Sequence, residues 1–573
     1  MTETFDYVIV GAGSAGCVLA MRLSEAGHSV CVLEAGPKDS SPYIHIPAGY
    51  IKNLFNPKLI WDFKSEPNAA TGNRALSLTQ GRVLGGSGSI NGMVYNRGQH
   101  ADFDGWAARG NPGWCYQDVL PYFKKAETRI GEGDDHYRGR TGPLPVTDPV
   151  QSSPLCDIFV KAVKSLGYPH VRDHNAEAQD GVGPWQFTID SRGHTMRRMS
   201  AAQAYLRPAI KTGRVDVRPD SPATRVLLEN RRALGVRYRA GGTSGTGSPE
   251  REVRARREVI VSAGALNTPR LLQISGIGSA DHLRSIGVSV EVNLPGVGAN
   301  LCDHYNLRVA AKVRNISTIN ERGRGLPLAW EIAKYFTGRP SILSMGPVPM
   351  RFFFRSAPSL PTPDLQVSFT PGSYREGLPG LLDHYPGMTL GGHKQRPESR
   401  GYVKALSTNI DIAPLIQPNY LAAQSDQDAM VAVVKMARAV LQARPFAPYY
   451  VDEIFPGNDI RTDQEILDFA RERGGTVYHH NGTARMGPDR DPYAVVDARL
   501  RVRGVEGLRV ADASVMPAPI SGATNASVIM IGEKAADLIL KDAAQPLRRG
   551  TEHPSNENGT TGAWEMTTLS HAL

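Results

Sequence analysis

Phe5-Asp6-Tyr7-Val8-Ile9-Val10-Gly11-Ala12-Gly13-Ser14-Ala15-Gly16 is followed by a second apolar run, Val30-Cys31-Val32-Leu33, that ends on Glu34. An apolar run of this length closed by glycine predicts a buried strand. Gly11 then permits a tight turn, Gly13 lets backbone approach a pyrophosphate, and Gly16 lets a helix pack close to the strand. The helix predicted from about Ala15 to Ala26 aims its N-terminal amides at that phosphate site. Glu34 stands where a carboxylate at the end of a second strand accepts hydrogen bonds from ribose hydroxyls. Strand, glycines, helix and acid in this register place an adenine dinucleotide at the start of the chain.

At 573 residues the chain exceeds what one hydrophobic core serves, so two lobes are expected. Its net charge of +9 comes from 65 basic and 56 acidic residues scattered along the chain, with no basic stripe interleaved with aromatics. That distribution argues against a nucleic-acid partner. Cysteines 17, 31, 115, 156 and 302 show no paired spacing for zinc or redox work, which predicts buried thiols in a reducing compartment and no metal site. Neither a leader peptide nor a bilayer-length apolar run is recognisable, so a cytoplasmic location is expected, with room for peripheral membrane contact. Residues 543–573, polar and without apolar periodicity, are expected to form a flexible tail.

Gln80-Gly81-Arg82-Val83-Leu84-Gly85-Gly86-Ser87-Gly88-Ser89-Ile90-Asn91 is too rich in glycine for regular structure and suits close backbone approach to a ligand. Arg225 to Leu228, Gly235 to Tyr238 and Val253 to Val261 predict a meander, its second turn spanning 241–248. Apolar residues from Met430 to Leu441 recur at helical spacing. No linker divides the chain into halves, so the lobes should be interleaved in sequence.

Four stretches together resemble the glucose–methanol–choline flavin oxidoreductase family: the opening fingerprint, Gly81 to Val94, Gly264 to Gly278, and Tyr478 to Asn525. An NAD-linked dehydrogenase would explain the first stretch but not the other three. The resemblance covers Asp6 to about Leu540 and implies an α/β fold, a Rossmann-like FAD-binding domain with an interleaved α+β substrate-binding domain on an antiparallel sheet. It assigns 1–155, 215–305 and 480–542 to the first domain and 156–214 and 306–479 to the second. The implied cofactor contacts are Gly11, Gly13, Ser14, Ala15, Gly16, Glu34, Ala35, Arg82, Gly86, Asn91, Gly92, Met93, Val94, the backbone of Val226, Asp512 and Ala513. FAD should be non-covalent, because Ile90 stands where some members carry the histidine that attaches it.

Val477-Tyr478-His479-His480-Asn481-Gly482-Thr483 resembles the family's catalytic segment with His480 in place of proline, and it puts His479 in the position of the general base. Alcohol oxidation needs such a base: a neutral imidazole takes the hydroxyl proton while the carbinol carbon gives hydride to the flavin. The second catalytic position falls on Asn525, where an amide would hold the alcohol oxygen, cap the following helix, or do both at once. His480 either lines the pocket or caps a turn, and His304 is read as structural.

Aligned with the family's lid, Pro349 stands where choline-oxidising members carry a glutamate, and Ser368 where many carry a histidine. With Met350 and Phe352 as substrate contacts, that stretch predicts a hydrophobic or aryl primary alcohol, or equally the two faces of a core strand. The expected activity is FAD-dependent oxidation of an alcohol to an aldehyde, with oxygen or a quinone as acceptor; the alternatives are an FAD-containing hydroxynitrile lyase and an oxygen-using oxidase. The sequence gives no oligomeric state.

Overall fold

The computed structural model describes residues 3–149, 153–241, 249–376 and 380–544. Fourteen strands carry its two large sheets: β1 (Glu3–Val10), β2 (Val30–Leu33), β3 (Gly181–Pro184), β4 (Val215–Arg218), β5 (Ala223–Glu229), β6 (Arg232–Arg239), β7 (Glu250–Val261), β8 (Tyr305–Val313), β9 (Met350–Phe354), β10 (Leu365–Thr370), β11 (Gly387–Lys394), β12 (Tyr450–Phe455), β13 (Gly475–Thr476) and β14 (Leu508–Val510). Five helices matter to the site: α1 (Ser14–Glu25), α2 (Pro154–Ser165), α3 (Gly325–Phe336), α4 (Gln424–Gln442) and α5 (Asn525–Ala544).

The first sheet runs β4-β2-β1-β7-β6-β5, with β14 added beside β7. β7 serves two purposes: Glu250 to Arg254 pairs antiparallel with β6, and Val259 to Val261 lies parallel between β1 and β14. The predicted meander is therefore part of the dinucleotide sheet. Val8, Ile9, Val30, Cys31 and Val32 are fully buried, as expected of parallel strands covered on both faces. Gly16 is obligatory, since a Cβ there would stand 2.0 Å from the Gly11 carbonyl oxygen. α5 packs against α1 through Gly532, and buried Glu533 accepts from Arg22 Nε at 2.8 Å and Nη2 at 2.7 Å. Breaking that pair leaves a buried charge, at a cost of about 3–5 kcal/mol.

The second sheet is antiparallel throughout, in the order β12-β8-β11-β10-β9-β3, with β13 on β8. Period-two alternation gives it two unlike faces. Leu307, Val309, Phe352, Phe354, Leu365, Val367, Phe369, Met388 and Leu390 join α2 and α4 in one apolar core, with Phe159 of α2 stacked on Phe369 at 4.7 Å. The intervening residues form a polar panel. Its register sets Asn306, His393 and Gln366 in one row across β8, β11 and β10, and Arg308, Gly391 and Ser368 in the next.

The glycine-rich loop forms only the two-residue strand at Gln80–Gly81 and a single turn of tight helix at Gly86–Ser89. Of the turn expected at 241–248, all but Gly241 lies outside the described residues, as does the tail beyond residue 544; residues 543–544 still belong to α5. No helix among the described residues is long and apolar enough to cross a membrane.

Candidate active site

A cavity of about 600 Å³ runs from the carboxyl ends of β1, β2 and β7 to the polar panel of the second sheet. At its first end the wall is largely backbone. Gly11 (φ +98°) makes the turn, Gly86 (φ +55°) crosses so close that a Cβ would meet Gly13 Cα at 2.8 Å, and Gly13 faces the cavity. α1 and α5 begin side by side here, where Ser14 Oγ donates to Asn525 Oδ1 at 2.6 Å. Neither helix carries an acid in its first turn, so two positive helix ends converge on the cavity.

Glu34 lies beside them, nine-tenths buried, accepting from Ala12 N–H at 2.9 Å and Gly36 N–H at 3.0 Å. Burial outweighs those two donors and raises its carboxyl to about 7. Asp512 is also buried and held above the usual carboxylate range by burial, and it accepts from Gly264 N–H, Thr268 Oγ1 and Ser514 N–H at 2.6–2.8 Å.

Of the expected cofactor contacts, Gly11, Gly13, Ser14, Ala15, Glu34, Ala35, Gly86, Asn91, Gly92, Met93, Val94, Asp512 and Ala513 line the cavity. Three do not. Gly16 is spent on helix–strand contact, and Arg82 lies behind the wall, donating to the Ala35 carbonyl at 3.2 Å and stacking on Trp61. Val226 is buried with its N–H given to Ser275 Oγ; the wall there is Pro222 and, three residues before Val226 at the start of the same strand, Ala223. The missed residues Ser262 to Ala265 follow the carboxyl end of β7, and that position, a buried strand running into Gly264, was their signal.

His479 stands at the other end. Its backbone N–H donates to Asp303 Oδ1 at 2.7 Å, and Tyr478 before it is held at φ +65° by an N–H bond to Thr476 Oγ1. A left-handed non-glycine residue costs on the order of 1–3 kcal/mol, which these bonds offset. His479 Nδ1 lies 2.9 Å from His304 Nδ1, and His304 Nε2 lies 2.7 Å from the Gln395 carbonyl oxygen. These partners assign the protons: the carbonyl can only accept, so neutral His304 carries its hydrogen on Nε2 and presents a bare Nδ1. His479 must then donate from Nδ1, which leaves its Nε2 with a free lone pair. Burial and the neighbouring His304 push His479 down to about 3, so it stays neutral. His304, expected to be structural, thus fixes the tautomer of His479.

His480 also lines the cavity. Its Nδ1 lies 2.9 Å from Gln80 Nε2, and its Nε2 lies 3.4 Å from Asp303 Oδ2, in ion-pair range without hydrogen-bond geometry. Asp303 is buried, yet His480 and the Thr476 and Tyr420 hydroxyls hold it below the usual carboxylate range.

Two expectations are corrected. Met350 and Phe352 face the apolar core, because β9 sits within the second sheet and its even-numbered residues share the face of Phe354. The lid residues that do reach the cavity are Pro347 and Val348. Asn525 lines the cavity at the start of α5, where its Oδ1 accepts from Ser14 Oγ and its Nδ2 is the group that would donate to an alcohol oxygen.

The substrate half is walled by Asn306, Arg308, Gln366, Ser368, Thr370, Thr389 and His393. Buried Gln366 Oε1 and His393 Nε2 have no partner among the described residues. Among the described residues the only carboxylates on the wall are Glu34 and Asp512, at the opposite end. No cluster of metal-ligating side chains occurs among the described residues.

The chain matches the GMC oxidoreductase family over residues 5–306 and again over 397–532. It is 40% identical over 556 residues to the oxygen-dependent choline dehydrogenase of Brucella ovis, covering 96% of this chain and 97% of that one. Pyridoxine 4-oxidase from Mesorbium loti superposes with a TM-score of 0.82 at 30% identity, covering 93% of this chain and 98% of the other. An FAD-dependent oxidoreductase from Chaetomium thermophilum gives a TM-score of 0.85 at 28% identity, covering 94% and 99%. The hydroxynitrile-lyase alternative gains no support from these relatives.

Proposed function

The chain belongs to the GMC oxidoreductase family and is an FAD-dependent enzyme acting on CH–OH groups, and from that premise we propose that His479 is the base that removes the hydroxyl proton. The observation that carries this reading is the relay from the Gln395 carbonyl through His304, which leaves His479 Nε2 unprotonated on the cavity. The cavity fits FAD: glycine backbone and two helix N-termini suit its pyrophosphate, and Glu34 suits its ribose. Bound FAD supplies a two-electron acceptor for the carbinol hydride.

The chain's own groups do the rest. Nε2 of His479 accepts the hydroxyl proton while Nδ1–H stays on His304, so the imidazolium charge is shared with a neighbour already bonded to a carbonyl. The His479 backbone, tied to Asp303, keeps the ring in place. FAD attachment is non-covalent: Ile90 is buried with Ile44, Leu59, Ile60 and Val83 and offers no nucleophile. Acid precipitation should release all the flavin.

The substrate is an alcohol with a second hydrogen-bonding group near its carbinol. Unpartnered Gln366 Oε1 and His393 support this, because a buried polar atom left unpaired costs about 1–3 kcal/mol until a ligand or water meets it. A quaternary ammonium finds no carboxylate in that half among the described residues. The test is anaerobic bleaching of the flavin by a panel of polyols, hydroxy acids, aryl alcohols and choline. Faster reduction by choline than by every polyol and hydroxy acid would refute the substrate reading. Reoxidation by oxygen with peroxide release, against reoxidation by a quinone, identifies the acceptor.

A further inference from the structure

We propose that α3 is a membrane-docking helix that lays the mouth of the catalytic cavity against an anionic lipid surface. Its amphipathicity is inverted. Glu331 and Tyr335 are buried, whereas Leu326 (86% exposed), Trp330 (58%), Ile332 (40%) and Phe336 (61%) face solvent. With 3.6 residues per turn, Leu326, Trp330, Ala333 and Phe336 fall on one outward stripe. The polar side is satisfied inside: Glu331 accepts from Arg322 Nη2 at 2.9 Å, from Lys334 and from Ile342 N–H at 3.0 Å, and Tyr335 O–H donates to the Met196 carbonyl at 2.8 Å. The apolar stripe has no such partner. Large aromatic and aliphatic side chains grouped outward on one helix mark a surface made to be covered.

The stripe is continuous with the cavity mouth. Arg324, at the start of α3, donates to the Leu382 carbonyl at 2.8 Å, and Gly323 packs on the Leu382 side chain. Leu381 next to it is 47% exposed, and Gly380 before it lines the cavity against Ile51 and Phe55. Phe55 is both a wall residue and 48% exposed, so it belongs to the rim. Exposed Phe55 at the rim, Leu381 and the stripe of α3 are thus tied together through the Gly380–Leu382 segment.

Charge selects a lipid surface over a second copy of this chain. From residue 314 to 339 Arg322 and Lys334 are held on buried Glu331, which leaves Arg314, Arg324 and Arg339 against Glu321 alone. Pairing two copies through α3 about a twofold axis would bring these cations together. An anionic headgroup layer complements them, while Trp330, Phe336 and Leu326 enter the interface below. A lipophilic alcohol or acceptor would then pass between bilayer and cavity without crossing bulk water.

The test uses the purified holoenzyme and vesicles of equimolar phosphatidylcholine and phosphatidylglycerol. Wild type should sediment with these vesicles, less with phosphatidylcholine alone and less at high salt. Trp330→Glu, and independently Leu326→Ser with Phe336→Ser, should weaken sedimentation about tenfold or more. Their flavin content and anaerobic reduction by a water-soluble alcohol should not change. Wild type that stays in the supernatant, or variants that bind as well as wild type, would overturn the proposal. So would a wild-type dimer in light scattering that Trp330→Glu converts to monomer, which would make α3 a self-association surface.

Discussion

The two large sheets hold the two ends of one cavity by different means. At the first sheet the wall is main chain: Gly11, Gly13 and Gly86 and the starts of α1 and α5 present amides whose positions follow from local backbone shape. At the second it is side chain, projected from alternate residues of β8, β10 and β11 and brought into rows by cross-strand register. A backbone site is specified by a few contiguous residues and tolerates little change at them. A panel site is specified by pairing across nearly 90 residues, and its side chains can be exchanged without disturbing the fold.

The largest effect should come from intruding on the backbone end. Gly86→Val places carbon within 2.8 Å of Gly13 Cα at a φ of +55°, and should cut the flavin-to-protein ratio about tenfold or more, read from the visible spectrum. A fully yellow variant would show that this end is more plastic than its geometry implies.

Next is His304→Phe, which removes the acceptor that fixes the His479 tautomer. The rate constant for flavin reduction should fall about 10–100-fold with FAD still bound, since orienting partners typically contribute that much. His304→Asn, which can still accept a hydrogen bond, should recover part of the loss; equal damage by both would point to packing.

The two faces of the second sheet can be set against each other. Phe352→Ala should cost about 3–5 kcal/mol of stability, read as a lower Tm, and leave KM unchanged. Ser368→Ala should lower Tm less than that, by the loss of the bond it accepts from Trp185 Nε1, and raise KM by a few-fold. The reverse pattern would mean that the faces have been assigned backwards.

The smallest effect is a pH dependence at Glu34. Its folded-state value of about 7 lies above the unfolded carboxylate value, so the apoprotein prefers the protonated form and loses that stability as pH rises from about 4.5 through 7. With Glu34 proposed to hold the FAD ribose, whose hydroxyls would donate to the ionised carboxylate, FAD affinity should rise over the same interval. The difference in Tm between holo- and apoprotein should therefore widen toward pH 8, and Glu34→Gln should flatten it.

This contrast also explains what the sequence made legible. Gly11 to Glu34 could be read directly because the strand, turn, helix and acid that form the site are consecutive. His479 was found from a resemblance, and its chemistry required a partner, but His304 lies 175 residues away and no local pattern links them. Val226 lies behind the cavity wall that Ala223 forms three residues earlier, because a strand's period shows which residues face inward, not which one reaches the cavity. Met350 and Phe352 read equally well as pocket or core, since alternation alone does not say which face of β9 meets α2 and α4. Asn525 carried two readings, and Ser14, which engages it, lies 511 residues earlier.

The most direct measurement is anaerobic stopped-flow reduction of the bound flavin in His479→Ala, beside wild type, with an alcohol that wild type oxidises. Loss of the base should slow reduction by about 10²–10⁴-fold with the flavin fully bound. Reduction within about threefold of wild type would contradict His479 as the base, and with it the relay through His304 as the reason for its position.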